Sequence, residues 1–370
     1  MQKKVNQLKM GTILSYLSIV IQSLCAIIYT PVMLRLLGKN EYGLYQLGSS
    51  AVSYLSLLSF GFNSSYVKFY FEYKVKGEEE KIRRLNSIFL LVFCCLAIVS
   101  CIVGGVMIAS ANLIFNSSLS PADVHQVQIL MFVLVLSTAL TFPNIIFDCY
   151  ITAHEKYIFQ RLILIGATVL LPILTLPLLY MGYKSTALVA VNLFISVFRT
   201  VMNVYYCFVK LEMKFQFHGM QLKVLKNVGS FSIFIFLNEI ASQINWNVDK
   251  VILGAVQGAS VVAVYSVGSQ FNQYFINMST AVSNVFIPRV NKMVAERQGD
   301  DALTALFIKI GRVQYVVLSA ILGGYLLYGK FFIMKWAGEG YDAAYYVGAL
   351  VMIPAIIPLI QNIGIEIQKA

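Results

Sequence analysis

Long apolar segments alternate with short polar segments along the whole chain. Ten of these segments, here called spans one to ten, are each long enough to cross about 30 Å of hydrocarbon as a helix. They cover residues 11–36, 43–69, 86–111, 125–150, 158–181, 185–209, 227–249, 260–288, 310–335 and 341–365. The pattern predicts an all-α protein that crosses a membrane many times.

Two spans carry polar residues at helical spacing. In span eight, steps of three and four residues draw one polar line along one side of a helix. Its members are Ser266, Gln270, Gln273, Asn277, Thr280 and Asn284. Span seven has two such lines, Asn238, Ser242, Asn245 and Asp249 beside Glu239, Gln243, Trp246 and Lys250. Amides and charges are costly in lipid, so we expect these lines to face a water-filled cavity. Hydrogen-bonded helix packing is the alternative.

Polar residues in other spans extend this predicted cavity. The side chains that we expect to bind substrate there are Gln22, Ser56, Asn192, Arg199, Asn203, Glu239, Gln243, Asn245, Gln270, Gln273, Asn277 and Thr280. Arg199 lies deep in span six and could meet a phosphate; a structural ion pair with Glu239 is the alternative. Glu239 lies deep in span seven and is the expected site for H⁺ or Na⁺ coupling. Asp148 is expected to reach the interface at its end of span four.

Composition agrees with a membrane protein. Of the 370 residues, 58% are hydrophobic and 12% charged, and the mean hydropathy is +0.74, whereas soluble domains carry about 25% charged residues. The net charge of +11 comes from basic loops and not from a basic domain, so we expect no nucleic-acid partner. With the N-terminus in the cytoplasm, 21 Lys and Arg fall on the cytoplasmic side and 6 on the other. This asymmetry predicts a cytoplasmic N-terminus.

A short motif occurs twice in the chain. Tyr45, Gly48 and Ser49 follow a Leu-Gly turn, and Tyr265, Gly268 and Ser269 repeat the pattern 220 positions later. Such spacing predicts two parallel six-helix lobes. We assign residues 1–209 to the N-terminal lobe, 210–226 to an amphipathic cytoplasmic linker helix, and 227–370 to the first four helices of the C-terminal lobe. Two repeats need more residues than the chain has, so we expect a truncated second lobe; a naturally short ten-span protein is the alternative.

Residues typical of enzymes and metal sites are sparse. The six cysteines lack metal-binding spacing, so no metal site is expected. The external loop at 112–124 is too short for a catalytic domain with paired acids. We therefore expect no enzyme activity, and a membrane glycosyltransferase or polymer ligase is the less supported alternative.

Two stretches resemble a known family. The opening "KMGTILSYLSIVIQSLCAIIYTPVMLRLLGKNEYGLYQL" and the later "NWNVDKVILGAVQGASVVAVYSVGSQ" are similar to bacterial polysaccharide-repeat-unit flippases. That family belongs to the superfamily that includes multidrug and toxin extrusion (MATE) exporters and lipid II flippases. The resemblance implies two six-helix lobes around a central cavity and alternating access. Members of this superfamily often have functional arginines lining the cavity, whereas in this sequence only Arg199 lies deep in a span.

The resemblance implies a function in surface polysaccharide biosynthesis. The expected protein flips an undecaprenyl-pyrophosphate-linked oligosaccharide repeat unit from the cytoplasmic to the outer leaflet, for O-antigen of lipopolysaccharide, capsule or exopolysaccharide. It would act as a monomer in the bacterial inner membrane, without a cofactor, beside the polymerase and glycosyltransferases of its pathway. A cation-coupled drug antiporter of the MATE type is the alternative.

Overall fold

The computed structural model describes residues 7–59, 62–219, 223–296 and 299–369, and these contain no β-strand. The helices are α1 (Gln7–Ser53), a 3₁₀-helix (Tyr54–Ser59), α2 (Phe62–Val75), α3 (Glu79–Phe115), α4 (Pro121–Ala153), α5 (Tyr157–Tyr180), α6 (Lys184–Val209), α7 (Lys223–Gln257), α8 (Ala259–Ala295), α9 (Asp300–Ala337), α10 (Ala343–Ile360) and α11 (Asn362–Lys369). The predicted all-α class is confirmed.

Seven helical segments among the described residues are long and apolar enough to cross a membrane. They comprise the segment Ile13–Ser59, which holds span one and most of span two, together with α3, α4, α5, α6, α9 and α10. The protein is therefore a multi-pass membrane protein. Spans seven and eight form α7 and α8, with 35 and 37 residues. Both are long enough to span, but their amide-rich stretches leave them outside the strongly apolar set.

The predicted boundary between spans one and two is a break inside α1. Gly38 has φ 74° and ψ 168° and interrupts the helix, and this left-handed φ is easily adopted by glycine. Span two is itself interrupted, because the 3₁₀-helix separates α1 from α2. The hydroxyls of Ser53 and Ser56 donate to the carbonyls of Ser50 and Ser53, each at 2.7 Å. Such local bonds compete with regular helical bonding.

The chain divides into two compact units, Met1–Val262 and Ala263–Ala370. In the first unit, α7 packs on α1 and α2, and two large apolar cores lie in the interior beside a smaller cluster between α5 and α6. One core includes Leu47 and Val127, and the other includes Phe93 and Ile146. In the second unit, Phe275 packs with residues of α9 and α10. The division into lobes at 209 and 227 stays a prediction.

The repeated motif has a similar packing role in each unit. A Cβ atom on Gly48 would lie 3.5 Å from Met131 on α4, and one on Gly268 would lie 2.7 Å from the Ala344 carbonyl oxygen on α10. Both motif glycines thus face a helix further along the chain, but only the Gly268 contact requires the absence of a side chain, because a Cβ on Gly48 would be in ordinary van der Waals contact. This correspondence agrees with a parallel internal repeat.

The predicted linker helix is wrong over residues 212–217, which have no regular secondary structure. Instead this segment runs against the start of α3. The main-chain N–H of Gln216 donates to the Ser87 hydroxyl at 2.7 Å, and Asn86 donates to the Lys214 carbonyl at 3.0 Å. Met213 is buried. The apolar residues of the linker thus contact the protein itself; residues 220–222 lie outside the described part.

Substitution Gly43→Ala should destabilise the first unit. Gly43 faces the main chain of Ala259 so closely that a Cβ would overlap its carbonyl oxygen. We expect a loss of about 1–3 kcal/mol or more in the free energy of unfolding, because backbone atoms must move. Thermal unfolding in detergent measures it. Gly105→Ala is the matched control, since it is also helical but its Cβ would meet open space. Equal stability of the two variants would contradict the close approach.

Candidate functional site

A polar seam in the first unit joins α7 to the end of α1 and the 3₁₀-helix. The Gln243 amide donates to the Ser56 hydroxyl at 2.9 Å, and its carbonyl oxygen accepts from Ser53 at 3.3 Å. Asn247 also donates to Gln243, at 2.6 Å. Two predicted site residues, Gln243 and Ser56, are thereby brought together. The Ser56 side chain remains exposed, so the seam can exchange its internal bonds for bonds to a solute.

The other predicted residues of α1 and α7 are also exposed. Gln22, Glu239 and Asn245 all present open surface within the first unit. Amide and carboxylate groups at these positions keep free hydrogen-bonding capacity. The structure therefore does not seal Gln22, Glu239 and Asn245 in helix contacts.

Arg199 faces Asp148, and the alternative that paired it with Glu239 is wrong. Asp148 on α4 lies within electrostatic range of Arg199 on α6, and no ion pair joins Arg199 to Glu239 in the described structure. Gln160 on α5 donates to the Asp148 carboxylate at 3.4 Å and to Thr152 at 2.7 Å. Asp148 is only partly exposed, and the expectation that it reaches the interface stays a prediction.

The guanidinium of Arg199 retains unused hydrogen-bonding capacity. Its Nε is buried and has no hydrogen-bond partner among the described residues. A guanidinium has five N–H donors in a fork that matches carboxylate or phosphate oxygens. The cluster of Arg199, Asp148 and Gln160 is therefore a charged, incompletely satisfied site between α4, α5 and α6.

Two predicted residues on α6 make bonds between helices. The Asn203 amide donates to Asn144 at 3.0 Å, and both side chains are buried. Asn192 donates to the hydroxyl of Tyr45 at 3.3 Å. Buried amide pairs of this kind hold helices together in a membrane. This placement favours a packing role for Asn203, whereas Asn192 keeps part of its surface open.

Most of the predicted line on α8 is exposed in the second unit, whereas Ser266 at its start is buried. Gln273, Asn277 and Thr280 all present open surface, and Gln273 donates to Asn277 at 3.1 Å. Gln270 is partly buried and donates to the Tyr274 hydroxyl at 2.7 Å. The exposed amides bond along their own helix, which leaves several donors and acceptors free.

A second polar face of α8 escaped the sequence analysis. Ser279 and Ser283 are buried and accept hydrogen bonds from Gln314 on α9, at 3.4 and 2.6 Å. Gln314 is the single amide in the apolar span nine, and its isolation is the sequence signal from which this contact could have been predicted. A lone buried amide in a membrane helix needs a partner on a neighbouring helix. These contacts hold α8 against α9 and leave the exposed line on another side.

No group of three or more His, Cys, Asp or Glu side chains that could hold a metal occurs in the described ranges. The residues available to a ligand are accordingly amides, hydroxyls and the charged pair. Such groups bind polar solutes by hydrogen bonds and ion pairing.

Comparison with known proteins identifies the class of the protein. A family model described as "Polysaccharide biosynthesis protein" matches residues 8–294. A candidate O-antigen transporter of Shigella flexneri is 21% identical over 353 residues, which cover 90% of this chain and 80% of that protein. The chain belongs to the polysaccharide biosynthesis protein family of membrane transporters. It is a transporter and not an enzyme, which excludes the glycosyltransferase or ligase alternative.

Solved structures show the same fold. An inward-facing multidrug resistance MATE family transporter of the MOP superfamily has a TM-score of 0.69 at 14% identity, covering 93% of this chain and 82% of its own. A MOP superfamily transporter from Pyrococcus furiosus has a TM-score of 0.56 at 14% identity, covering 98% and 82%. At this identity the likeness concerns the fold. The family model confirms the predicted polysaccharide family, and the solved structures show that the fold is the one found in MATE-type transporters.

The contact between Ser56 and Gln243 can be tested by cross-linking. In a chain without its native cysteines, the pair Ser56→Cys and Gln243→Cys should react rapidly with a short bifunctional thiol reagent, because the native side chains are in hydrogen-bond contact. Gel mobility after proteolysis between the two positions measures the yield. The pair Ser56→Cys and Asn245→Cys is the control, since position 245 lies two residues further along α7. Equal yields for the two pairs would contradict the seam.

Proposed function

We propose that the protein moves a lipid-linked oligosaccharide repeat unit from the cytoplasmic to the outer leaflet by alternating access. The substrate is an oligosaccharide on undecaprenyl pyrophosphate, and the product serves O-antigen, capsule or exopolysaccharide assembly. The observation that carries this proposal is the exposed line of amides and hydroxyls on α8, Gln273, Asn277 and Thr280.

The chemistry of this line suits a sugar. Sugar hydroxyls both donate and accept hydrogen bonds, and so do side-chain amides and hydroxyls. A charged, hydroxyl-rich headgroup cannot cross hydrocarbon without such partners. The exposed Gln243 and Ser56 seam offers the same groups in the first unit. The polyprenyl tail, in contrast, is apolar and partitions into the surrounding lipid.

Arg199 supplies the cation for the pyrophosphate in this proposal. Its buried Nε, which has no hydrogen-bond partner among the described residues, can donate to a phosphate oxygen, and Asp148 lies within electrostatic range of its charge. Phosphate and Asp148 would then compete for one guanidinium. This competition would let the protein release the substrate after transfer.

Coupling and location complete the proposal. Glu239 is exposed on α7 and would bind H⁺ or Na⁺, and no other cofactor is needed. The charge asymmetry of the loops supports a cytoplasmic N-terminus, and the substrate supports the bacterial inner membrane. The protein would act as a monomer and receive its substrate from the glycosyltransferases of the pathway and pass it to the polymerase.

Arg199→Ala should abolish flipping of a labelled lipid-linked oligosaccharide in proteoliposomes, whereas Arg199→Lys should retain part of it, because one charge remains but the fork is lost. Arg312→Ala, at an exposed position of α9, is the control for charge. Full activity of Arg199→Ala would overturn the phosphate role.

Adding Asp148→Asn to Arg199→Ala separates folding from transport. Recovery of both thermal stability and flipping in this double variant would mean that Arg199 only balances the charge of Asp148.

Glu239→Gln should keep the shape of the side chain and remove its ability to bind a proton or Na⁺. We expect flipping to lose its response to a pH or Na⁺ gradient. The initial rate with and without each gradient measures this. An unchanged response would assign coupling to another group. Drug efflux by the unaltered protein, with no movement of lipid-linked sugar, would favour the MATE-type antiporter instead.

A further inference from the structure

A cavity of about 430 Å³ lies at one end of the first unit, apart from the seams and from Arg199. The end of α2, the start of α3, the end of α4 and the segment after α6 enclose it. The lining residues that carry its chemistry are Tyr70, Lys74, Arg83, Tyr150, His154 and Lys214. The loop charges place this end on the predicted cytoplasmic side.

Specific hydrogen bonds build the wall of this cavity. Asn86 on α3 accepts from the Tyr66 hydroxyl at 2.7 Å and donates to the main-chain carbonyl of Lys214 at 3.0 Å. The main-chain N–H of Gln216 donates to the Arg83 carbonyl at 3.3 Å. The segment after α6 is thus fixed through its backbone, which leaves the Lys214 side chain free for a ligand.

Unusual backbone conformations lie at the rim. Glu212 lines the cavity with φ 48°, and Glu155, next to His154, has φ 56°. Residues other than glycine are strained in this region, at a cost of about 1–3 kcal/mol each, and such strain concentrates at functional sites. Two of the three such residues found in the described structure flank this one cavity.

The lining is basic and aromatic. Lys74, Arg83 and Lys214 outnumber the two lining carboxylates, Glu79 and Glu212. Glu79 is 3.4 Å from Arg83 in an exposed pair, and exposed pairs of this kind contribute little. A ligand can therefore displace Glu79 from Arg83 easily. The three cations are the main electrostatic feature that a ligand meets.

Aromatic side chains form the remaining wall. The Tyr70 hydroxyl lies 3.2 Å from Nε2 of His154, and Lys74 Nζ lies 5.6 Å from the Tyr70 ring centroid. Burial lowers the pKa of His154, and Lys74 and Lys156 lower it further, so the imidazole is neutral near pH 7. A neutral imidazole and two tyrosines offer polar edges and flat faces, which suit a sugar or glycerol unit next to a phosphate.

We propose that this cavity is a second binding site, for the phosphate or pyrophosphate ester of a membrane lipid at the cytoplasmic surface. Lys74, Arg83 and Lys214 bind the phosphate oxygens, and Tyr70, Tyr150 and His154 contact the neighbouring polar unit. One source of this chemistry is the lipid-linked oligosaccharide before it enters the transport path, which rests on the proposed function. The other is the headgroup of an anionic phospholipid, which does not.

Binding of inorganic pyrophosphate to the full chain in phosphatidylcholine nanodiscs tests the site by calorimetry. We expect Lys74→Gln and Lys214→Gln each to weaken binding about tenfold, and Glu79→Gln to tighten it by removing the carboxylate beside Arg83. Lys81→Gln is the matched control, because Lys81 is exposed and pairs with Glu78 at 2.7 Å. It should leave binding unchanged. Lys214→Gln should fold normally, since Lys214 holds the wall through its main chain.

The same titration in nanodiscs that contain phosphatidylglycerol identifies the source. If phosphatidylglycerol weakens pyrophosphate binding to the unaltered protein but not to Lys214→Gln, an anionic headgroup occupies the cavity. Unchanged binding means that the site serves the diphosphate of the lipid-linked substrate. Absence of pyrophosphate binding, or an equal loss in Lys81→Gln and Lys214→Gln, overturns the proposal. None of these outcomes depends on transport, so failure here is distinct from failure of the proposed function.

Discussion

The constraint on which this structure depends is that polar groups inside hydrocarbon must meet either one another or water. The helices satisfy their own backbone groups, but their amide and hydroxyl side chains need separate partners. Asn203 finds Asn144, and Gln314 finds Ser279 and Ser283, each on a neighbouring helix. In contrast, Gln273 and Asn277 bond only along α8 and remain exposed. The difference separates polar residues that hold helices together from polar residues that can serve a substrate.

Close helix contacts make this separation possible. Leu47 of α1 packs with Met131 of α4 in one apolar core, and Gly268 lets α8 approach α10, so that apolar and small residues fill one side of each helix. The opposite side can then stay polar without loss of packing. A transporter needs such a division, because one surface of a helix must be stable while another changes its solvent or ligand.

The sequence predicted the exposed residues better than their partners. Spacing alone placed Gln273, Asn277 and Thr280 on one side of a helix, and the structure leaves that side open. The sequence could not distinguish these residues from Asn203, because an amide at helical spacing gives the same pattern whether it is exposed or hydrogen-bonded to Asn144. It offered Glu239 as the alternative partner of Arg199 and did not connect Arg199 with Asp148, since that proximity depends on how α4 and α6 pack. Amphipathic spacing predicted a helix for the linker. It does not reveal that Met213 is buried, in a segment that is hydrogen-bonded to the start of α3.

Local chemistry determined much of this protein without reference to tertiary contacts. Hydrophobicity, period and loop charge are properties of short segments, so the sequence by itself determined the all-α membrane class and most of the spans. Only the tertiary structure decided which polar side chains face each other and where the basic cavity forms. Lys74, Arg83, His154 and Lys214 come from four separate parts of the chain. Their meeting depends on helix packing, and hydrogen-bond partners far apart in sequence leave no periodic signal.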